Sequence, residues 1–387
     1  MSRSTSSAAA FALAVSLASV ATLAQAQSLD DAIASSHASF AQYIDTSPTP
    51  GVSVAVMLGD RRVWAEGFGL ADVEHDVPVT PTTLFRAWSV SKPLTAAAAG
   101  LLHEQGRLDL DAPIQDYVPS FPEKGHPITA RQLGGHRAGI PHYGPDDLAN
   151  FVSYGSPLEA LEKFKDRDLL FEPGTRTEYS SFGYNLLGAV VEAAAEKQFL
   201  EFMQSEIFSP LGMRHTRADR YREIIPNRSG FYGVSENGEL AHAPFTDNSD
   251  LWPGGGFLST PSDLVAFGAG LLRGDLLKPE TVELLFTPMG TMESLGMDYG
   301  FGWYVIESPD PEVGRILMHP GGHYGGTAIL VIWERRPMVV SIMANVSMTD
   351  SVFRDLFALS RQTGQGFMAV KDAEVSESPG GEPIQMR

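Results

Sequence analysis

Residues 85–102, "FRAWSVSKPLTAAAAGLL", place polar residues at the start of an otherwise plain helix. The four consecutive alanines, residues 96–99, are strong helix formers, and Gly106 is typical of a helix end. We therefore predict a helix over residues 89–106. Pro93 is compatible with it because it falls in the first turn, where few backbone hydrogen bonds exist to lose.

Ser89 and Lys92 are spaced so that their side chains can touch. Residues i and i+3 share one face of a helix, and a helix N-terminus stabilises negative charge. An amine kept neutral by burial can accept the hydroxyl proton and turn serine into a nucleophile. Of the seven lysines, only Lys92 has a serine three residues before it. Ordinary residues at a solvated helix start are the alternative, because Ser-x-x-Lys is a weak pattern by itself.

Tyr179 and Ser181 follow a turn at residues 172–174, and we expect both on a loop before a helix over residues 184–197. A phenol there could share a proton with Ser89 or with a leaving group. A lone tyrosine beside an apolar helix is more often a packing residue. This interpretation therefore depends on the other motifs.

The run His319, Pro320, Gly321 and Gly322 interrupts a strand pattern. Proline cannot donate to a ladder, so we expect it on an edge strand. Glycines let another backbone approach, and such an edge could line a cleft and offer N–H groups to a substrate. A simple turn with a satisfied histidine is the alternative.

Strand patterns lie at both ends of the chain, with helical patterns between them. Residues 51–69 alternate apolar residues about Gly59 and Asp60, which predicts a hairpin. We therefore predict an α/β (α+β) fold: an antiparallel sheet of N- and C-terminal strands, flanked by helices, with a mostly helical inserted region. The late strand segments are "YGFGWYVI", "GRILMHP", "GTAILVIW" and "PMVVSIMANV", and terminal helices are expected over residues 29–43 and 350–362.

In order and spacing, these segments resemble the serine β-lactamase and penicillin-binding protein superfamily. The match is closest to its class C-like branch, which holds D-alanyl-D-alanine carboxypeptidases, D-aminopeptidases, esterases and mitochondrial serine β-lactamase-like proteins. The resemblance covers about residues 29–366 and implies a β-lactamase/transpeptidase-like fold. Its supporting stretches include "LDLDAPIQDYVP", "ITARQLGGHRAGIPHY", "FEPGTRTEYSSFGYNLLG" and "GGGFLSTPSDLVAF".

The resemblance also implies roles for individual residues. Ser89 would be the acylated nucleophile, Lys92 its proton partner, and Tyr179 the tyrosine of the family's Y-x-N motif. The N–H groups of Ser89 and Gly322 would form the oxyanion hole. One such donor is typically worth about 3–4 kcal/mol of barrier.

Three positions depart from the family pattern and concern substrate binding. Ser181 replaces the asparagine of Y-x-N and lacks an amide. His319, Pro320 and Gly321 stand in the place of K-T-G, where many non-lactamase members carry H-x-G. Pro320 removes a hydroxyl, and histidine is less reliably charged than lysine. These changes weaken recognition of a substrate carboxylate, so we expect inefficient β-lactamase activity.

Charge and composition exclude several classes of partner and mechanism. The formal net charge of −19 argues against nucleic acid or an anionic membrane, and zero cysteines exclude disulfides and a thiol nucleophile. No H-E-x-x-H, phosphate loop or dinucleotide fingerprint occurs, so no metal or cofactor is predicted. The absence of G-x-S-x-G disfavours an α/β-hydrolase. The expected partner is a small-molecule or peptide substrate with an acyl group.

The N-terminus is typical of a cleaved secretory signal. Arg3 precedes an apolar stretch, residues 8–24, that ends in Ala24-Gln25-Ala26. A membrane anchor is disfavoured because the stretch is short and rich in alanine and serine. We predict cleavage after Ala26 and a periplasmic or secreted protein without an integral membrane segment.

The predicted organisation is a signal peptide over residues 1–26, one catalytic domain over residues 27–370 and a disordered tail over residues 371–387. The leading hypothesis is a serine hydrolase that cleaves an ester, amide or peptide bond through an acyl-enzyme. The alternatives are a β-lactamase or D,D-peptidase proper, and a non-catalytic peptidoglycan- or penicillin-binding scaffold. Loss of Ser89 or Lys92 would have favoured the scaffold, and both are present.

Signal cleavage is testable on the full-length protein expressed in a bacterium with a periplasm. We expect N-terminal sequencing to return Gln27 and fractionation to place the protein with soluble exported proteins. An intact Met1 on functional protein would contradict the prediction.

Overall fold

The computed structural model describes residues 27–144, 147, 150–235 and 237–371. The predicted signal peptide lies outside these residues, as does the predicted tail except for Lys371. Among the helices that are described, none is both long and apolar enough to cross a membrane.

The described residues form strands and α-helices in an order close to the one predicted. The strands are β1 (Gly51–Leu58), β2 (Arg61–Asp72), β3 (Val77–Pro78), β4 (Phe85–Arg86), β5 (Arg217–Ala218), β6 (Tyr232–Val234), β7 (Leu240–His242), β8 (Phe257–Ser259), β9 (Gly290–Met292), β10 (Met297–Tyr299), β11 (Tyr304–Glu307), β12 (Arg315–His323), β13 (Gly326–Trp333) and β14 (Met338–Ala344). The helices are α1 (Leu29–Thr46), α2 (Ser91–Glu104), α3 (Ala130–Gly134), α4 (Pro157–Ala160), α5 (Ser181–Ala195), α6 (Phe199–Phe202), α7 (Trp252–Gly255), α8 (Pro261–Arg273), α9 (Pro279–Phe286) and α10 (Asp350–Met368).

The main sheet has nine strands in the order β3-β2-β1-β14-β13-β12-β11-β10-β9, and every neighbouring pair is antiparallel. The two chain ends meet where β1 pairs with β14, with Val54 opposite Ile342. Most of the helices lie in the chain between these strands. The predicted fold class is confirmed.

The central strands are apolar on both faces because both faces of the sheet are covered. Along β1, Val54 and Val56 pack into a cluster that includes residues of α1 and α10. Ala55 and Met57 point the other way, into a cluster that includes residues of α2, α5 and α8. Successive side chains of β1 therefore point into two different hydrophobic clusters, as expected for a sheet that is buried on both faces. The cluster that contains Ala55 and Met57 packs the helical region against the sheet.

Two helix starts differ from the sequence prediction, and both bear on the site. Helix α2 begins at Ser91, and Ser89 lies in a 3₁₀ turn, Trp88–Val90, just before it. Helix α5 begins at Ser181 rather than at residue 184, because the Ser180 hydroxyl caps it by accepting the Gly183 N–H at 2.9 Å. The expectation that Ser181 lies on a loop was therefore wrong.

The predicted edge position of Pro320 is confirmed for half of its strand. Strand β12 lies between β11 and β13, but β11 pairs only with the residues from Arg315 to Met318. From His319 onwards β12 has a partner on one side only. Proline is tolerated there because no ladder bond is lost on the open side.

Candidate active site

Ser89 sits where the sheet and the helical region meet. The residue before it, Trp88, has a φ of +44°, a left-handed conformation that is uncommon for a bulky side chain. Packing holds Trp88 in place, since its ring is buried and lies 5.4 Å from the His323 ring. The turn therefore fixes the direction of Ser89 before helix α2 begins.

Lys92 brings three separate parts of the chain together. Its Nζ lies 3.0 Å from Ser89 Oγ, 3.0 Å from Ser181 Oγ and 2.7 Å from the Gly254 carbonyl oxygen. A carbonyl can only accept, so one amine N–H is committed to Gly254. A neutral amine keeps one lone pair, which leaves it able to accept a proton from a neighbouring hydroxyl.

The surroundings of Lys92 disfavour its charged form. The side chain is fully buried, and no carboxylate of the described residues pairs with its amine. Burial therefore lowers the pKa of Lys92 well below its usual value of 10.5. Lys92 Nζ lies over the faces of two uncharged rings, 4.8 Å from the centroid of Tyr179 and 5.6 Å from that of Tyr184. The amine is poised as a base.

Tyr179 lies beside the nucleophile with its hydroxyl protonated. Its side chain hydrogen-bonds that of Ser89, and burial raises the pKa of the Tyr179 phenol well above 10. The opposite shifts at Lys92 and Tyr179 have one cause, since burial disfavours whichever form carries charge. Burial therefore favours a neutral amine, which can accept a proton, beside a neutral phenol, which can donate one.

His136 holds Tyr179 from three directions and was not singled out by the sequence. Its carbonyl accepts the Glu178 N–H at 2.9 Å, and its Nδ1 accepts the Ser180 N–H at 3.1 Å. The His136 ring also lies 4.4 Å from the Tyr179 ring. His136 adopts a φ of +56°, which no sequence pattern reveals. His136 thus binds the backbone of both neighbours of Tyr179, one through its carbonyl and the other through its ring.

Ser181 is in the site but faces the lysine. Its hydroxyl is buried against Lys92, and its backbone N–H donates to His142 Nδ1 at 3.1 Å. The Lys92 amine and the Ser181 hydroxyl therefore meet directly. The Ser181 hydroxyl contacts Lys92, and the substrate contact expected of Ser181 stays a prediction.

His319 is also close to the site, but it is fully buried and uncharged. Its Nδ1 donates to the Pro320 carbonyl at 2.7 Å, so its Nε2 accepts from the Tyr299 hydroxyl at 3.0 Å. Burial and the neighbouring Lys92 lower the pKa of His319 to about 3. Unlike the lysine of K-T-G, this residue offers no positive charge.

Gly321 is where strand β12 touches the turn that carries the nucleophile. A Cβ atom at this position would overlap the Ala87 carbonyl oxygen and lie 2.8 Å from the Ser89 nitrogen. Only glycine permits this approach. Gly322 follows on the same open edge, where a Cβ atom would overlap the side chain of Met348.

Gly254 contributes to the site through its backbone alone. It belongs to α7, which is tied to helix α2 because Thr95 Oγ1 donates to the Pro253 carbonyl at 2.7 Å. The Gly-rich stretch at residues 254–256 was visible in the sequence, but its contact with Lys92 was not.

A possible metal-ligand group in the described part of the chain, Asp72, Glu74 and His75, is separate from these residues and largely exposed.

Comparison with known proteins identifies the family. The β-lactamase family model matches residues 38–365. The human serine β-lactamase-like protein LACTB, named as mitochondrial, is 32% identical over 78% of this chain and 74% of its own length. Penicillin-binding protein 4* of Bacillus subtilis is 31% identical over 70% of this chain and 63% of its own. The chain belongs to the β-lactamase family of serine hydrolases.

Solved structures of this β-lactamase-family fold agree with the architecture. The octameric penicillin-binding protein homologue from Pyrococcus abyssi has a TM-score of 0.76 and 23% identity, covering 88% of this chain and 78% of its own. EstCE1, described as a hydrolase with promiscuous acyltransferase activity, has a TM-score of 0.75 and 23% identity, covering 86% and 99%. At this identity the likeness concerns the fold. The resemblance noted from the sequence motifs is confirmed.

The close approach at Gly321 gives a direct test of the site geometry. We expect Gly321→Ala to displace the turn that carries Ser89 and to slow labelling of Ser89 by a serine-directed phosphonate about 100-fold. Gly366→Ala on α10 is the matched control, because a Cβ atom there meets nothing within 4 Å. Wild-type labelling by a folded Gly321→Ala protein would refute this account of the contact.

Proposed function

We propose that this protein is an exported serine hydrolase that forms an acyl-enzyme on Ser89 and cleaves an ester, amide or peptide bond. The observation that carries the proposal is the buried Lys92 amine, 3.0 Å from Ser89 Oγ and without a carboxylate partner among the described residues. Membership of a serine hydrolase family supports it.

In the proposed acylation, neutral Lys92 accepts the Ser89 proton while Oγ attacks the acyl carbon. The N–H groups of Ser89 and Gly322 would stabilise the oxyanion of the tetrahedral intermediate. Its collapse breaks the bond to the leaving group, which takes a proton from the Tyr179 hydroxyl, and the Lys92 ammonium restores that proton. Water then hydrolyses the acyl-enzyme and releases the acid.

The proposed substrate is a simple ester or amide rather than a β-lactam. The β12 edge has an uncharged, buried His319 where K-T-G places lysine, and Pro320 has no hydroxyl. Ser181 is occupied by Lys92. No group in these three positions would hold a substrate carboxylate by a charge-assisted hydrogen bond. A β-lactamase or D,D-peptidase proper is therefore the second candidate, supported by the penicillin-binding relatives.

A non-catalytic scaffold is less well supported. Burying a lysine without a counter-charge costs stability, and a scaffold would gain nothing from retaining it beside a serine. The proposal of export is supported by the N-terminal pattern, whereas the human relative LACTB is named as mitochondrial.

The nucleophile is tested with a fluorophosphonate and peptide mapping. We expect one covalent adduct on the peptide that contains Ser89, and no adduct in Ser89→Ala. The labelling rate is expected to fall as the pH is lowered through the depressed pKa of Lys92, because protonation removes the base. The midpoint should lie well below 10.5.

Ser91→Ala is the matched control for labelling, since this serine starts the same helix and contacts the backbone of Phe257 instead of Lys92. It should be labelled on Ser89 like the wild type. An adduct on another serine, with Ser89→Ala still reactive, would exclude the proposed nucleophile.

Substrate preference is tested by comparing a short-chain nitrophenyl ester with a cephalosporin. The lost carboxylate contact is worth roughly 1.5–3 kcal/mol, or about one to two powers of ten in rate. We expect measurable ester hydrolysis and weak or absent cephalosporin turnover.

Pro320→Thr restores the missing hydroxyl on the same strand. It should shift the ratio of rates towards the carboxylate-bearing cephalosporin. If the wild type hydrolyses the cephalosporin faster than the ester, the second candidate is correct and the first is wrong.

A further inference from the structure

Two histidines outside the proposed catalytic group contact residues in it or next to it. His142 reaches it from the helical region, where its ring lies 5.5 Å from the Tyr179 ring. His323 ends strand β12 on the sheet side, with its ring 5.4 Å from that of Trp88, the residue before Ser89. His142 is exposed and His323 is half-buried, so both can meet a bound molecule.

Backbone contacts set the tautomer of both rings. His142 Nδ1 accepts the Ser181 N–H at 3.1 Å, and His323 Nδ1 accepts the Tyr324 N–H at 2.8 Å. A neutral imidazole that accepts at Nδ1 carries its proton on Nε2. Neither Nε2 atom has a hydrogen-bond partner among the described residues. Each ring therefore presents a free N–H donor.

Both rings stay neutral, since an imidazolium cannot accept at Nδ1. Burial, followed by Arg86, lowers the pKa of the half-buried His323 to about 4. Arg86 cannot bind a substrate instead. It is buried, with Nε 2.8 Å from Asp219 Oδ2 and NH1 donating to the Tyr324 carbonyl at 2.9 Å.

We propose that His142 and His323 form a substrate-binding pair whose Nε2–H donors hold an uncharged hydrogen-bond acceptor, such as the amide carbonyl of an N-acyl-amino-acyl ester or amide. The proposal rests on acylation of Ser89 and names the substrate class for that site. An uncharged acceptor fits because the donors carry no charge and no free cation is among the neighbours described above. A carboxylate would be left without a counter-ion.

The test compares esters of equal chain length. The nitrophenyl ester of N-acetylglycine has an amide carbonyl that the nitrophenyl ester of pentanoic acid lacks. The half-ester of succinic acid provides a carboxylate. The readout is the ratio of kcat/KM for the N-acetylglycine ester to kcat/KM for the pentanoate ester, corrected for spontaneous hydrolysis.

His142→Phe and His323→Phe keep a ring and remove the donor. Each should lower the ratio about threefold to tenfold, the worth of one neutral hydrogen bond. His142→Gln and His323→Gln carry an N–H near the position of Nε2 and should recover part of it. His37→Phe on α1, which packs on the opposite face of the sheet, is the control and should leave the ratio unchanged.

An unchanged ratio in both phenylalanine variants would overturn the proposal. So would a selective loss on the succinate half-ester, because that result would show the pair to bind carboxylate. These failures differ from failure of the proposed function, in which the wild type hydrolyses none of the esters and Ser89 takes no phosphonate.

Discussion

The site depends on one buried amine without a counter-charge. Lys92 has lost its water, and no carboxylate of the described residues replaces it, so the neutral form is favoured. Burial explains why the amine is neutral but not where it lies. Its position is set by contacts with three segments: Ser89 just before α2, Ser181 at the start of α5, and Gly254 in α7. The surrounding fold has to bring these three segments to within hydrogen-bonding distance of one atom.

The same burial removes charge from the other titratable groups around Ser89. The pKa of Tyr179 is raised, and the pKa values of His136 and His319 are lowered, with burial as the largest cause in each case. Burial thus favours the uncharged form of Lys92, of Tyr179 and of the buried histidines around Ser89. Such a site favours proton transfer between neutral groups and an uncharged substrate, and both proposals use this property.

Much of the fold could be predicted because its signals are local. Alternation about Gly59 and Asp60 indicated the hairpin of β1 and β2, and the late β-branched runs indicated β13 and β14. The helix starts were less predictable. The true start of α5 depends on a Ser180 side-chain cap. The start of α2 depends on a left-handed Trp88, whose ring packs against His323 of strand β12.

For the site, the sequence by itself determined which residue types were available: a serine three residues before a lysine, a tyrosine, and glycines on an interrupted strand. The tertiary structure decided what they face. It turned Ser181 towards Lys92, buried His319 against Tyr299, and made His136 the support of Tyr179. The physical reason is the distance along the chain over which each property is determined. Spacing along a helix or strand limits which neighbours can touch, whereas burial, tautomer and pKa depend on groups distant in the chain that only the folded core brings together.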